Sequence, residues 1–307
     1  MKQAKRSLIW LLIMMFCLSF PLSGFAAALT TAVGKIDAME TLLYGTTQTG
    51  SLLERADKLE TDINDHPTSD PILVKIDRLY AYLLDGSEAS PSFLTRLNAT
   101  EWTFTQVLTD TPAKRRLENV EKLLNGTTGT GGLDARLNKL MSMAFRNGAI
   151  QTAKAAVAKD TLIKIKMMQE LNSKTARAGD KVSFQAEDNL YVGNTLVIPK
   201  GAIGYGVIEK VDQAQNFGRD AKIKVDFQRL LGMDGTSVNV YLGELAKKAT
   251  QSEATAAGAT VAGLVLFGPI GIVSGAFVHG KELTIPVGTT LYVQVKDDVE
   301  IFGLVNQ

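Results

Sequence analysis

The chain has little cysteine and little histidine. Cys17 is its single cysteine and lies in an apolar N-terminal stretch, while His66 and His279 are its two histidines. The rest of the chain therefore has no disulfides, thiolate nucleophiles or cysteine metal sites. We expect a protein that needs no cofactor or metal and is not an enzyme. Carboxylates brought together from distant segments, as in a glycoside hydrolase, are the remaining catalytic alternative.

Neither sign of charge dominates the sequence. Lys and Arg number 33 against 32 Asp and Glu, which gives a formal net charge of +1. The balance holds in both halves, with 13 basic and 16 acidic residues in 29–150, and 17 and 16 in 151–307. Proteins that bind nucleic-acid backbones need a basic stripe. We therefore expect no nucleic-acid partner.

The first thirty residues have the three-part layout of a secretory signal. Basic residues at the start precede an apolar run over residues 8–20, and small residues follow Gly24. This layout predicts a signal peptide over residues 1–28, cleaved near Ala28, and export to the periplasm or the outer membrane. An uncleaved N-terminal anchor is the alternative, because the apolar segment could extend to Leu29.

Residues 29–147 contain three copies of one unit of about 40 residues. The matching segments, each ending in glycine, are Leu42-Leu43-Tyr44-Gly45, Leu83-Leu84-Asp85-Gly86 and Leu123-Leu124-Asn125-Gly126. An arginine stands ten residues after each glycine, at Arg55, Arg96 and Arg136. The apolar spacing in each unit predicts a helix, a polar loop and a second helix. Because one such hairpin buries a single stripe, the units must stack on each other or on a partner chain.

The three repeated arginines are the candidate residues for repeat interactions. One interpretation is a site for an anion or a partner. The other is that each arginine pairs with helix carboxylates on a solvated face, such as Glu54, Asp57 or Asp134.

The second half of the chain changes character. Residues 148–172 are predicted to form a linker helix, because Leu162, Ile165 and Met168 make an apolar stripe. Short alternating segments in residues 173–307 predict a small β-barrel or β-sandwich, with a hairpin turn at 233–236. The predicted strands are Lys181–Ala186, Thr195–Ile198, Ala202–Val211, Ala221–Arg229, Ser237–Leu242 and Thr290–Lys296. The predicted fold class is α+β.

Several turn motifs carry a resemblance to a known family. They are Leu171-Asn172-Ser173-Lys174, Gly179-Asp180, Ile198-Pro199-Lys200-Gly201, Asp234-Gly235 and Ile285-Pro286-Val287-Gly288-Thr289. With these motifs the last 135 or so residues resemble the C-terminal β-barrel of TrbI-type scaffold proteins of type IV secretion systems. The resemblance implies a barrel that assembles into an outer-membrane ring, with a helical hairpin inserted between strands that reaches the membrane. The helical repeats are not assigned to a family.

An apolar insert interrupts the β region. Residues 255–278 carry no charge, and Gly268-Pro269 breaks them near the middle, which predicts a helical hairpin. The expected membrane or assembly contacts are Val261, Leu264, Leu266, Phe267, Ile270, Ile272 and Phe277. A buried hairpin that covers one mouth of the barrel is the alternative.

These features together predict a non-catalytic scaffold or assembly protein of the cell envelope. Its repeats would bind an envelope protein or a second copy, and its insert would contact the membrane or the assembly. The alternative function is a peptidoglycan- or carbohydrate-binding module on a helical spacer, which requires an exposed aromatic platform. The aromatic residues considered for that platform are Tyr191, Tyr205, Phe217 and Tyr241.

Overall fold

A computed structural model describes residues 31–214, 221–256 and 282–306 of the chain. The predicted signal peptide over residues 1–28 lies outside the described residues. So do Phe217, His279 and residues 257–278 of the apolar insert. The seven expected contact residues of the insert belong to that segment, namely Val261, Leu264, Leu266, Phe267, Ile270, Ile272 and Phe277.

The described residues 31–145 form six α-helices separated by extended loops. They are α1 (Ala32–Tyr44), α2 (Leu52–Asn64), α3 (Ile72–Leu83), α4 (Phe93–Thr105), α5 (Ala113–Asn125) and α6 (Leu133–Ala144). Local chemistry sets their ends. Ser51 and Glu54 form a reciprocal capping box at the start of α2, and Pro112 stands before α5, where no amide donor is needed. Gly45 and Gly126 end α1 and α5 in the left-handed conformation that glycine adopts without strain.

The helices pack as two layers of three. In the first layer α1, α2 and α3 contact each other, and in the second α4, α5 and α6 do so. Each helix buries apolar residues, such as Ile36 and Leu43 in α1 and Leu97 in α4. Corresponding residues of the two layers lie 61 positions apart, as Ala32 and Phe93 show at the starts of α1 and α4. The predicted helical repeats are therefore present, with one helix and one loop as the smaller unit.

The described residues from 152 onward form β-strands and one helix. The strands are β1 (Thr152–Val157), β2 (Leu162–Met167), β3 (Leu171–Asn172), β4 (Lys181–Ala186), β5 (Leu190–Val192), β6 (Thr195–Ile198), β7 (Ile203–Asp212), β8 (Lys222–Leu231), β9 (Ser237–Tyr241), β10 (Thr284–Ile285), β11 (Thr290–Val295) and β12 (Val299–Val305). Helix α7 spans Glu244–Ala256 and packs on β11. All six strands predicted from the sequence are present.

These strands form a closed barrel and a separate sheet. The barrel runs in the order β11-β2-β4-β7-β8-β9, and the second sheet in the order β1-β12-β6-β5. The barrel is filled by an apolar core in which the rings of Phe184 and Phe227 meet edge to face, 5.3 Å between centroids. The predicted α+β class, with helices followed by a small barrel, is confirmed. In the described ranges, no helix combines the length and the apolarity that a membrane crossing requires.

The predicted linker helix over residues 148–172 is wrong. This segment contributes β1, β2 and β3 instead. The stripe of Leu162, Ile165 and Met168 does not mark a helix face, since the buried positions Ile163, Ile165 and Met167 alternate with period two. Strand β1 pairs along its length with β12, near the other end of the chain. The pairing with β12 decides the conformation of β1, and a short stretch of sequence around β1 does not contain β12.

Candidate functional site

Each of the six helices carries a cation at its fourth position. These residues are Lys35, Arg55, Lys75, Arg96, Arg116 and Arg136. The sixth position of each helix is Asp, Asn or Glu, and the ninth is glutamate in α1, α2, α4 and α5. The repeat is therefore about 20 residues long, half of the spacing at which the glycines and arginines recur.

Arg55 shows what the cation does. Its Nε donates to Glu40 Oε1 at 3.0 Å, and its Nη2 donates to Glu40 Oε2 at 2.6 Å and to Asp37 Oδ1 at 2.5 Å. Glu40 is buried and also accepts the Gln48 amide at 2.7 Å. The hydrogen bond to Glu40 is the main influence that raises the pKa of the Arg55 guanidinium. One glutamate thus fixes both the next helix and the loop that leads to it.

The same contact recurs in three further helices. Arg116 bonds Glu101 and Arg136 bonds Glu121, each at 2.6 Å for the closest atoms. Lys75 lies 3.1 Å from Glu60 and also pairs with Asp57. The carboxylate belongs in each case to the preceding helix, 15 residues earlier, as in the pair of Arg55 with Glu40.

Two of these buried carboxylates have perturbed pKa values. Burial alone would raise the pKa of Glu60, but the Thr68 amide and Lys75 together hold that pKa below its usual value. For Glu121 burial again acts upward, while Arg136 and the Gly129 amide outweigh it and lower the pKa. Both groups are therefore ionised in the folded array at neutral pH.

In the first helix of each layer, the fourth residue contacts the third helix of the same layer instead of a preceding helix. Lys35 of α1 pairs with Asp77 of α3 at 2.6 Å. Arg96 of α4 donates to Asn138 of α6 at 3.0 Å and pairs with Asp134 at 3.2 Å. Both contacts join a first helix to the third helix of the same layer. Every helix of a layer is thus tied to another by its fourth residue.

The three predicted arginines therefore contact their own chain. Asp134 beside Arg96 was among the expected carboxylates, whereas Glu54 and Asp57 are not the partners of Arg55. The side chains of Arg55, Arg96 and Arg136 are largely buried. A role for them in binding a separate partner stays a prediction.

The two layers stack through the ends of their helices. Gly45, which ends α1, lies against Pro112 before α5, and a Cβ on Gly45 would stand 2.7 Å from the proline Cγ. Gly132, which precedes α6, lies against the last turn of α2, and its Cβ would stand 2.4 Å from the Ile63 carbonyl oxygen. The ends of α1 and α2 therefore meet the starts of α5 and α6. Opposite partial charges of the helix dipoles face each other there, which favours the contact.

Helix α4 joins the helical array to the β region. Asn98 Nδ2 donates to the Met233 carbonyl at 2.8 Å, within the predicted hairpin turn, while Asn98 Oδ1 accepts from Arg116 at 2.7 Å. An aspartate, which α1 and α2 have at this position, could accept the second bond but not donate the first. Asn98 therefore connects the ion-pair network directly to the barrel.

Further contacts seal this junction. The Leu108 amide donates to the Lys200 carbonyl at 2.8 Å. Gly201 comes so close to this segment that a Cβ would lie 2.1 Å from the Leu108 carbonyl oxygen, so only glycine fits there. Trp102 Nε1 donates to Asn189 Oδ1 at 3.1 Å, beside the apolar cluster of Ala99, Leu196, Met233 and Leu304. Sequence reasoning missed this junction, although the lone asparagine among acidic residues at the sixth positions of α1–α4 was a usable signal.

Two concave sites flank the junction. One cavity of about 280 Å³ lies between the loop after α3 and the hairpin turn, with Leu94 and Asp234 in its wall. The Asp234 carboxylate there accepts the amides of Thr236 and Phe302, both at 2.9 Å. A second cleft of about 150 Å³ is lined in part by Trp102 and Tyr191. Throughout the ranges that the structure describes, no three His, Cys, Asp or Glu side chains cluster as metal ligands.

The candidate aromatic platform is divided between sheets. Tyr191 lies on β5 of the second sheet, whereas Tyr205 lies on β7 of the barrel under the Arg229 guanidinium. Tyr241 donates its hydroxyl to Asp160 at 2.7 Å. These three tyrosines therefore do not share one surface of a single sheet.

No protein family and no curated protein match the chain. Among solved structures, the chain is similar to ComB10 of the Com type IV secretion system of Helicobacter pylori. The identity is 14% and the TM-score 0.27, over 47% of this chain and 89% of that one.

Proposed function

We propose that the chain is a non-catalytic scaffold of the bacterial-type cell envelope, periplasmic or associated with the outer membrane. Its helical layers would hold a protein partner or a second copy, and its β region would dock in an envelope assembly. The observation that carries this proposal is the junction at α4. Asn98 bonds both Arg116 of the ion-paired layers and the Met233 carbonyl of the barrel, so the helical layers and the barrel are directly joined.

The build of the layers supports a structural role. Their cations and carboxylates bond each other through buried, repeated contacts rather than facing a cleft. Such networks fix the angles between helices, and stacked units of this kind offer extended surfaces for proteins. The sequence adds the secretory layout of residues 1–28 and the apolar residues 255–278.

A carbohydrate-binding module is the weaker proposal. It requires neighbouring exposed rings, and Tyr191 and Tyr205 belong to different sheets. We therefore place the scaffold first.

Cell fractionation tests the proposal. The full chain and a variant that lacks residues 255–278 would be expressed in a Gram-negative host and cross-linked in intact cells before separation of periplasm and membranes. We expect loss of about 28 N-terminal residues on export and cross-linked species in the envelope fraction that the deletion reduces. Lys222→Glu, an exposed change on the barrel, is the matched control. An uncleaved chain that stays in the cytosol would overturn the proposal, and so would an exported chain that forms no cross-linked species. Retention on peptidoglycan would favour the carbohydrate-binding module.

A further inference from the structure

The two layers leave apolar residues exposed at their outer ends. At the start of α3 in the first layer, Leu73 is 60% exposed and Val74 lies exposed beside it. At the end of α5 in the second layer, Leu123 is 62% exposed, with Leu124 next to it. Large apolar side chains at such exposure mark contact surfaces when they lie together. We call residues 71–74 the start face and residues 123–126 the end face.

The interior of the array shows how such ends are covered. The first helix of layer one meets the second helix of layer two, where Gly45 lies on Pro112. The second helix of layer one meets the third helix of layer two, where the end of α2 lies on Gly132. The ends of α1 and α2 are therefore each covered by the start of the next-numbered helix in the second layer.

The same rule assigns a partner to the end of α5. As the second helix of its layer, α5 requires the start of a third helix, and this chain exposes one such start at α3. The residue types at the two faces match those of the internal contact between α1 and α5. Gly126 ends α5 in the left-handed conformation, as Gly45 ends α1, and Pro71 precedes α3 as Pro112 precedes α5. A Cβ on Gly126 would meet nothing within 4 Å, which leaves the space that Pro112 fills at Gly45.

We propose that two copies of the chain associate head to tail, with the end face of one copy on the start face of the next. Leu123 and Leu124 of one copy cover Leu73 and Val74 of the other, and Gly126 takes Pro71. This inference rests on the proposed scaffold function, of which it names the partner and the surface.

Such a contact is heterologous, since each copy uses two different faces. It leaves one free start face and one free end face on every dimer, so further copies can add. The assembly then grows until it closes into a ring or extends as a filament. The buried contact adds a third and a fourth helical layer to the two within one chain.

Two single-face variants test this arrangement. Leu73→Glu places a charge on the start face, and Leu123→Glu places one on the end face. Sedimentation velocity of the purified full-length chain would follow assembly over a concentration series. We expect the wild type to assemble with rising concentration, and each variant alone to bind itself about 30-fold more weakly or worse, the scale of an interface hot spot. Lys222→Glu on the barrel should assemble like the wild type.

Mixing the two variants separates this contact from a symmetric one. Leu73→Glu keeps an intact end face and Leu123→Glu an intact start face, so an equimolar mixture should form one-to-one dimers that grow no further. A mixture that stays monomeric would overturn the inference, as would a wild type that stays monomeric or variants that assemble normally. Far-ultraviolet circular dichroism checks the fold, and Leu73→Ser with Leu123→Ser replaces any variant that fails it.

The outcomes also separate this inference from the proposed function. A monomeric wild-type chain that is still cross-linked to other proteins in the envelope overturns only the head-to-tail contact. A chain that assembles head to tail in solution but stays in the cytosol overturns only the envelope role.

Discussion

The helical layers and the β region differ in the polar side chains that they bury and in the sequence separation of the residues that they bring into contact. In the layers, buried charges alternate with apolar residues, and Glu60 and Lys75 are almost fully buried 15 residues apart. In the described part of the β region the buried polar side chains are uncharged, namely Ser173, Thr195, Thr250 and Gln294. There the sheet joins Thr152 to Leu304. The layers are thus specified by one local polar contact used repeatedly, and the β region by distant pairing around an apolar core.

The largest expected effect comes from removing one member of a buried ion pair. In Glu60→Ala, buried Lys75 keeps Asp57 as its one carboxylate, while Arg78 and the Thr68 amide lose their contact with Glu60. Removing one partner of a buried pair destabilises a protein by about 3–5 kcal/mol when the other charge is left alone, so the remaining contact with Asp57 places the expected loss at the lower end of that range. Urea unfolding followed by the helical dichroism signal should show this loss. Glu244→Ala, in an exposed pair with Lys247, should leave the unfolding midpoint unchanged, and equal losses in the two variants would contradict the comparison.

Acid should affect the layers before the barrel. The pKa values of Glu60 and Glu121 are lowered on folding, so their contribution to stability is fully present above the unfolded value of about 4.3. It is lost as the pH falls through the lower folded values, because protons then bind the unfolded chain first. Thermal unfolding followed by the helical dichroism signal at pH 7, 4.5 and 3 should therefore show a lower unfolding midpoint for the helices at pH 3 than at pH 7. The pKa of Glu187 in the β region is lowered by Lys166 as well, but that pair is more exposed and should matter less.

The next largest loss of stability is expected at the junction between the helical layers and the barrel. Asn98→Ala removes the donor to the Met233 carbonyl and the acceptor for Arg116, and should cost about 1–3 kcal/mol. Trp102 lies at this junction and is the only tryptophan after residue 28, so its fluorescence reports the contact. The emission should shift to the red at lower urea than in the wild type. Asn138→Ala at the equivalent position of α6 removes an acceptor for Arg96 but no contact with the barrel, and should shift the emission less than Asn98→Ala does.

The smallest effect distinguishes a covered helix end from an open one. Gly45 and Gly126 both have left-handed backbones, so alanine costs about 1 kcal/mol at either position. At Gly45 the new Cβ would also press on Pro112, which adds to the cost, whereas Gly126 has open space. Urea midpoints should therefore fall further for Gly45→Ala than for Gly126→Ala. Equal shifts would show that the layers do not stack at Gly45.

Some of this organisation could be predicted from the sequence and some could not. The helices and six strands follow from local periodicity, as at Lys181–Ala186, where the observed strand has the predicted bounds. Glu40, which pairs with Arg55, was not among the carboxylates considered from the sequence, because a 40-residue period hides the 20-residue one and Glu40 lies in the preceding helix. Strand β1 was mispredicted because its partner β12 is distant in sequence. The role of Asn98 depends on a hairpin 135 residues away.

The layered build also determines in what increments the molecule can change length. A helix of 13 residues is about 20 Å long, so each complete layer adds about that much reach. The ion pairs close only within a set of three helices, so an insertion of one helix would break a layer, whereas a 61-residue set would preserve it. Because α4 alone makes the polar contacts to Met233 and Asn189, such an addition belongs ahead of Ala32. The helical region could therefore be lengthened by whole layers at its far end, while its attachment to the barrel stays unchanged.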